Sequence, residues 1–259
     1  MGCRRMRLTW CGLVAAVVLV RAGSVQAQSW LSFAHPSVEK LEQVKAAAQV
    51  PLAEVPAAVR ASVHLVLNRP TLFARGTAEI FPCRPSQYYW FLDHPDRVML
   101  AWRRLGAKCM PITPRGDGRF GWTDEQGSDF VWQTVYHNSQ LRVWYAEGNV
   151  RPAPFLPMVP VRAVVVLHHV EGKDETGATI MNHHAEAFLQ TDSAAAVLLT
   201  KMLGSSAPRM ACEGVGQLQL FFAGLSWYLE RHPERADWLL LNSYQPNPVE
   251  PRASFNPRD

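Results

Sequence analysis

The chain has 259 residues, 48% of them hydrophobic, nine tryptophans and a formal charge of +4. Arg4, Arg5, Arg7 and Arg21 carry that excess and all lie in the first 27 residues, so the remainder is close to neutral and lacks the basic face that binds nucleic acid or an anionic membrane by charge. So much indole favours a large apolar core or a ligand-contacting cavity, and periodicity alone does not choose between them.

Arg4, Arg5 and Arg7 precede an apolar run from Leu8 to Val20, and Val25-Gln26-Ala27 is small at both positions that signal peptidase reads. The pattern predicts a secretory signal over residues 1–27, cleaved after Ala27. The run is shorter than the ~20 residues of a spanning helix, so no stable membrane anchor is expected once it is removed. Cys83, Cys109 and Cys212 survive processing. In an oxidising compartment a Cys83–Cys109 bridge would close a loop of about 26 residues and contribute about 3 to 4 kcal/mol. Cys212 is then the expected free thiol, buried on a helix as a small hydrophobe.

Residues 28–69 read as a linker and helical lead-in. Ser37 caps a helix carrying Leu41, Val44 and Ala48, and a second helix from about Glu54 to Leu67 places Val55, Val59, Val63 and Leu67 on one face. The main domain spans 70–242. Its first segment, Thr71 to Phe81, alternates as one strand and stops at Pro82. Pro85 leads a helix from Ser86 to Leu92, and Asp93-His94-Pro95 breaks it and begins another that ends at Leu105-Gly106. Strands follow at Ala107–Thr113, Arg119–Thr123, Phe130–His137 and Leu141–Glu147. Four prolines make Arg151–Pro160 a loop. Val161–Val170 and Ala178–Gln190 then form a hairpin, and Ser193–Leu203 a helix.

After a break at Gly204–Pro208 comes a long helix from Arg209 to His232. Ala211, Val215, Leu218, Phe222, Leu225 and Leu229 recur at spacings of four and three, one continuous buried stripe, which Phe221, Trp227 and Tyr228 widen. Gly214, Gly216 and Gly224 each cost about 1 kcal/mol of helix propensity, which close backbone approach or room for another group must offset. Residues 243–259 hold four prolines and few apolar residues, and predict a tail without stable structure.

The run from Ala78 to Arg97, Ala-Glu-Ile-Phe-Pro-Cys-Arg-Pro-Ser-Gln-Tyr-Tyr-Trp-Phe-Leu-Asp-His-Pro-Asp-Arg, with Trp102 beyond it, resembles the opening of the START-like, polyketide-cyclase-like (SRPBCC) superfamily. The order of elements extends the likeness through the domain. The resemblance implies an α+β helix-grip fold, in which a curved antiparallel sheet of about seven strands surrounds a long C-terminal helix behind an N-terminal helical lead-in. It also implies a cavity for a lipid, sterol or polyketide, with cyclase or oxygenase-associated activity in some branches. The matching residues are structural and carry no catalytic role across.

If the grip encloses a cavity, Trp132, Tyr136, Trp144, Met181, His183, Met202, Phe221, Phe222 and Leu225 are its expected lining. Phe130, Trp132, Thr134 and Tyr136 share a face by alternation. Four histidines, His168, His169, His183 and His184, fall on two paired strands, one of each pair to each face. His168, His183 and His184 are the metal-ligand candidates, with Glu186 the best further ligand, and a single imidazole could serve as a general base. No Gly-x-Ser-x-Gly elbow or phosphate-cradling Gly-rich loop is present.

The expectation is therefore a secreted domain binding an apolar, lipid-like small molecule, without a cofactor. Catalysis by the histidines and a non-catalytic envelope role using the tail are the alternatives. Phe155, Leu156 and Met158, with the 204–208 break, are the expected lid.

Overall fold

The computed structural model describes residues 9–10, 36–151, 157–191, 194 and 206–240. Eight strands build one antiparallel sheet: β1 (Leu72–Arg75), β2 (Glu79–Pro82), β3 (Thr113–Gly116), β4 (Arg119–Thr123), β5 (Asp129–His137), β6 (Leu141–Val150), β7 (Val159–Lys173) and β8 (Thr179–Thr191). The order is β1-β8-β7-β6-β5-β4-β3, with β2 also paired to β8. A helix of 25 residues, α5 (Ala207–Arg231), lies against one face, here called inner. The architecture is the α+β helix grip that the order of elements predicts, with eight strands in place of about seven.

Every member of the predicted stripe, Ala211, Val215, Leu218, Phe222, Leu225 and Leu229, is buried. Trp227 is not part of it. It is exposed, with the Arg231 guanidinium 3.9 Å from its ring centre, a cation–π contact at the surface. Gly224 explains itself by close approach, since a β-carbon there would meet the Trp102 ring at 3.1 Å. The Trp102 indole donates to the Phe221 carbonyl at 2.9 Å and locks the same contact.

The single strand predicted from Thr71 to Phe81 is two strands on one partner. Leu72–Arg75 pairs with Glu186–Leu189 of β8, and Glu79–Pro82 with Ile180–His183. Between them the chain leaves the ladder, and the fully buried amide of Gln219 from α5 fills the opening. Its Oε1 accepts from the Ala185 N–H at 3.2 Å, and its Nε2 donates to the Thr77 carbonyl at 2.6 Å. Sheet and helix are thereby tied by polar bonds inside an apolar layer, where an unmet backbone group would be costly.

Helices α3 (Pro85–Asp93) and α4 (Pro95–Arg104) follow β2 and close one end of the grip. Tyr88, Phe91, Leu92, Val98 and Ala101 sink into the core, while His94 stacks on Trp90 between the two helices. Asp93 accepts from the buried Arg142 of β6 at 2.6 Å. A short α6 (Ala236–Leu240) docks on α4, where Arg104 donates to the carbonyls of Trp238 and Leu239.

The outer face is covered as well. Helices α1 (Pro36–Ala48) and α2 (Ala57–Asn68) bring Ala46, Val63, Val66 and Leu67 onto Phe73, Val143, Val164, Val166 and Phe188 of the sheet.

The expected Cys83–Cys109 bridge is not formed. The Cys83 thiol is buried beside Ser226 and donates to the Arg84 carbonyl, and burial pushes its pKa up to about 11. Cys109 turns its sulfur to the Ala107 carbonyl, in a segment paired in parallel with Thr9–Trp10. Cys212 is exposed, not buried, because it lies off the apolar stripe of α5.

Candidate functional site

Between the sheet and the first half of α5 lies a cavity of about 130 Å³. Its roof is α5 from Ala211 to Phe222, with Gly214 among the residues that line it. Aromatic side chains form the flank: Trp122 of β4, Phe130 and Trp132 of β5, and Trp144 of β6, the last stacked on Phe222 at 6.2 Å between ring centres. Small residues form the floor, with Ala146 and Ala163 directly paired across β6 and β7 and Ala187 on β8. Leu92, Pro95 and Met99 close the α3–α4 end, and Met110 and Ile112 approach from the connection before β3. Gln217 is the only non-aromatic polar residue among the described lining residues, and it is exposed where the wall meets solvent.

The cavity exists because bulky and small residues are segregated. The far half of the grip is filled by Phe81, Tyr88, Phe91, Met181 and Leu225, whereas the near half carries alanines where the strands face the helix.

Of the expected lining, Trp132, Trp144, Phe221 and Phe222 stand on the wall. Met181 and Leu225 are buried in the filled half and His183 lies beside them. Met202 lies outside the described residues, as do Phe155 and Leu156. Tyr136 is on the other face altogether. A β-bulge between Thr134 and Tyr136 shifts the register, so Thr134 opposes Trp144 but Tyr136 opposes outward-facing Val143. One extra residue reverses every later side chain of a strand, and alternation counted through the bulge gives the wrong face. Trp122 was missed because Arg119–Thr123 is too short to display a period. The alanine floor, Ala146, Ala163 and Ala187, comes from three different strands, and its assembly follows from their register rather than from any one strand's pattern.

The four histidines divide as alternation requires. His169 and His183 are Cα partners on the inner face, within the filled half. The Tyr88 hydroxyl, whose pKa burial raises well above its ordinary value, hydrogen-bonds with His183 Nδ1 at 2.7 Å. His183 Nε2 faces Glu79 Oε2 at 3.4 Å, and the tautomer with the proton on Nε2 meets both contacts, with Tyr88 as donor to Nδ1. His169 packs edge-on against Tyr88 and Tyr89, and its Nδ1 has no partner among the described residues. Burial, with Arg142 and His183 nearby, lowers its pKa to about 4, so the ring is neutral at pH 7.

His168 and His184 oppose each other on the outer face, with rings stacked 4.5 Å apart. Glu186 is two residues further along the same face and its Oε2 lies 3.3 Å from His168 Nε2. The grouping of His168, His183 and His184 is therefore corrected: the sheet separates His183 from the other two, and Glu186 takes its place. None of the four histidines is part of the described cavity wall.

No family model matches the chain, and no curated protein does. Solved structures align weakly. A conserved protein from Geobacillus kaustophilus matches at 10% identity and a TM-score of 0.34, over 56% of this chain and 96% of that one. A hypothetical protein from Helicobacter pylori gives 9% and 0.34, over 61% and 89%. Truncated norcoclaurine synthase from Thalictrum flavum gives 10% and 0.32, over 57% and 92%. Likeness of this degree carries no functional argument, and the fold rests on the strand order and helix packing described above.

Proposed function

We propose that the chain is a secreted START-like protein that binds an apolar, lipid-like small molecule in the cavity between its sheet and α5. The observation that carries this reading is a void walled by three of the nine tryptophans and floored by alanines, in a fold whose other half holds bulky buried side chains. Affinity would come mainly from apolar burial, about 25 cal/mol per Å², and Gln217 at the rim is placed to meet a polar end. An enclosed apolar void of about 150 Å³ suffices for a benzene ring, so the buried portion of the ligand is a single ring or a short chain segment.

Secretion rests on the sequence of residues 1–27. N-terminal sequencing of the exported protein should begin at Gln28.

For binding, the protein is purified from its expression host and examined by native mass spectrometry, then titrated with a fluorescent fatty acid while tryptophan emission is followed. Saturable uptake with quenching of Trp122, Trp132 and Trp144 is the expected result. An interior that takes up neither co-purified lipid nor the probe would overturn the reading.

A further inference from the structure

The geometry points to a binding site for one divalent transition-metal ion, of the zinc class, formed by His168, His184 and Glu186 on the outer face of the sheet. It is separate from the cavity, which lies across the sheet, and does not depend on the binding function.

Two imidazoles and a carboxylate are a common donor set for such an ion, and here one donor atom of each lies within 4.8 Å of the others. The backbone enforces the grouping. His184 and His168 are direct Cα partners in the β7–β8 ladder, and Glu186 follows His184 by two residues, which returns its side chain to the same face.

Glu186 supplies the second observation. Its side chain is only 2% exposed, yet its ion-pair contacts among the described residues are long: 3.5 Å from Oε1 to Arg75 Nε and 3.3 Å from Oε2 to His168 Nε2. A buried carboxylate ordinarily requires short, charge-assisted partners. Arg75 also reaches Glu42 of α1 at 2.8 Å, and Glu42 in turn meets Lys45. The guanidinium therefore divides itself between two carboxylates, holds Oε1, and leaves Oε2 turned to the imidazoles, as an outer partner orients a metal ligand.

A tetrahedral ion with bonds of about 2.0–2.2 Å holds its donor atoms about 3.3–3.6 Å apart, so the three side chains must close by roughly 1 Å. They must also turn. An imidazole binds in its own plane, and rings only 10° from parallel and 4.5 Å apart have no shared in-plane point. Binding therefore splays the His168–His184 stack by rotation about the side-chain torsions.

The test titrates zinc, and cobalt as a coloured substitute, into the dialysed full chain. The expected result is one equivalent bound with a dissociation constant below about 1 μM, visible cobalt absorption, and NMR ring signals that shift for His168 and His184 but not for His169 or His183. His168→Ala and His184→Ala should each weaken binding by about 100-fold, and His183→Ala should not. The wild-type titration stands by itself if a variant fails to fold. Absence of saturable binding, binding that survives both outer-face substitutions, or ring shifts confined to other histidines would overturn the proposal.

Discussion

The amide of Gln219 occupies the place where a side chain at position 76 would be: a β-carbon on Gly76 would stand 1.6 Å from Gln219 Oε1. The glycine is required for the approach of α5 and not for its backbone angles. Gly76→Ala should destabilise the fold by about 2–3 kcal/mol in urea denaturation, since it overpacks the site and displaces an amide bonded to Ala185 and Thr77. Gln219→Ala opens space but leaves those two backbone groups unmet. The double substitution should therefore be less harmful than the sum, with a coupling energy of about 1 kcal/mol or more. Strict additivity would show that the two side chains do not compete for one space.

Tyr88→Phe tests the inner histidine in a similar way. It removes the hydroxyl 2.7 Å from His183 Nδ1 without changing the ring that packs against Phe81 and His169. An acceptor at a side chain only 1% exposed is left without a donor, which should lower stability by about 1–3 kcal/mol. A change below about 0.5 kcal/mol would mean that His183 is satisfied from elsewhere.

His169 gives the fold an acid sensitivity with a defined window. Its pKa falls from 6.5 to about 4 on folding. Above 6.5 the ring is neutral in both states and its contribution to stability is constant. As pH falls below 6.5 the unfolded chain takes up a proton that the folded chain refuses, so stability declines until about pH 4 and then levels, by a total on the order of 3 kcal/mol. His184, also lowered, adds a slope of the same sign. His169→Leu should flatten the difference between denaturation at pH 7 and pH 4.5 while leaving stability at pH 7 almost unchanged, because the replaced Nδ1 has no partner among the described residues. An equal slope in wild type and variant would assign the sensitivity to carboxylates instead.

Long-period features were legible in the sequence. The stripe of α5 repeats over more than five turns, so no single residue decides it, and all six positions are buried. That each histidine pair divides between the two faces was legible because β7 and β8 pair without a break over thirteen positions, but which histidines share a face depends on the register, and His183 was grouped with the wrong pair. Local interruptions were not legible. The opening at Gly76 depends on a glutamine 143 residues further along the chain, and the bulge before Tyr136 depends on how β5 meets β6. The cavity belongs to the same class. Trp132, Trp144 and Phe222 were readable as large apolar residues and, through the helix-grip resemblance, as candidate lining, but which sheet face is inward was not, and whether space remains between them follows from where the alanines fall on other strands.

That distribution of alanines gives the sharpest test of the cavity. Ala163 and Ala185 are both buried on the inner face, but Ala163 borders the void and Ala185 lies beneath Gln219 in the packed half. Ala163→Leu adds its atoms where none stand, so stability should be unchanged or higher by about 0.5–1 kcal/mol. Ala185→Leu must displace its neighbours and should lower stability by about 1–3 kcal/mol. If the cavity is where ligand sits, Ala163→Leu should also weaken uptake of the fluorescent fatty acid at least tenfold, a loss of about 1.4 kcal/mol. Weakened uptake at undiminished melting temperature separates loss of the site from loss of the fold. Full uptake in this variant would place the bound probe outside the grip of sheet and helix.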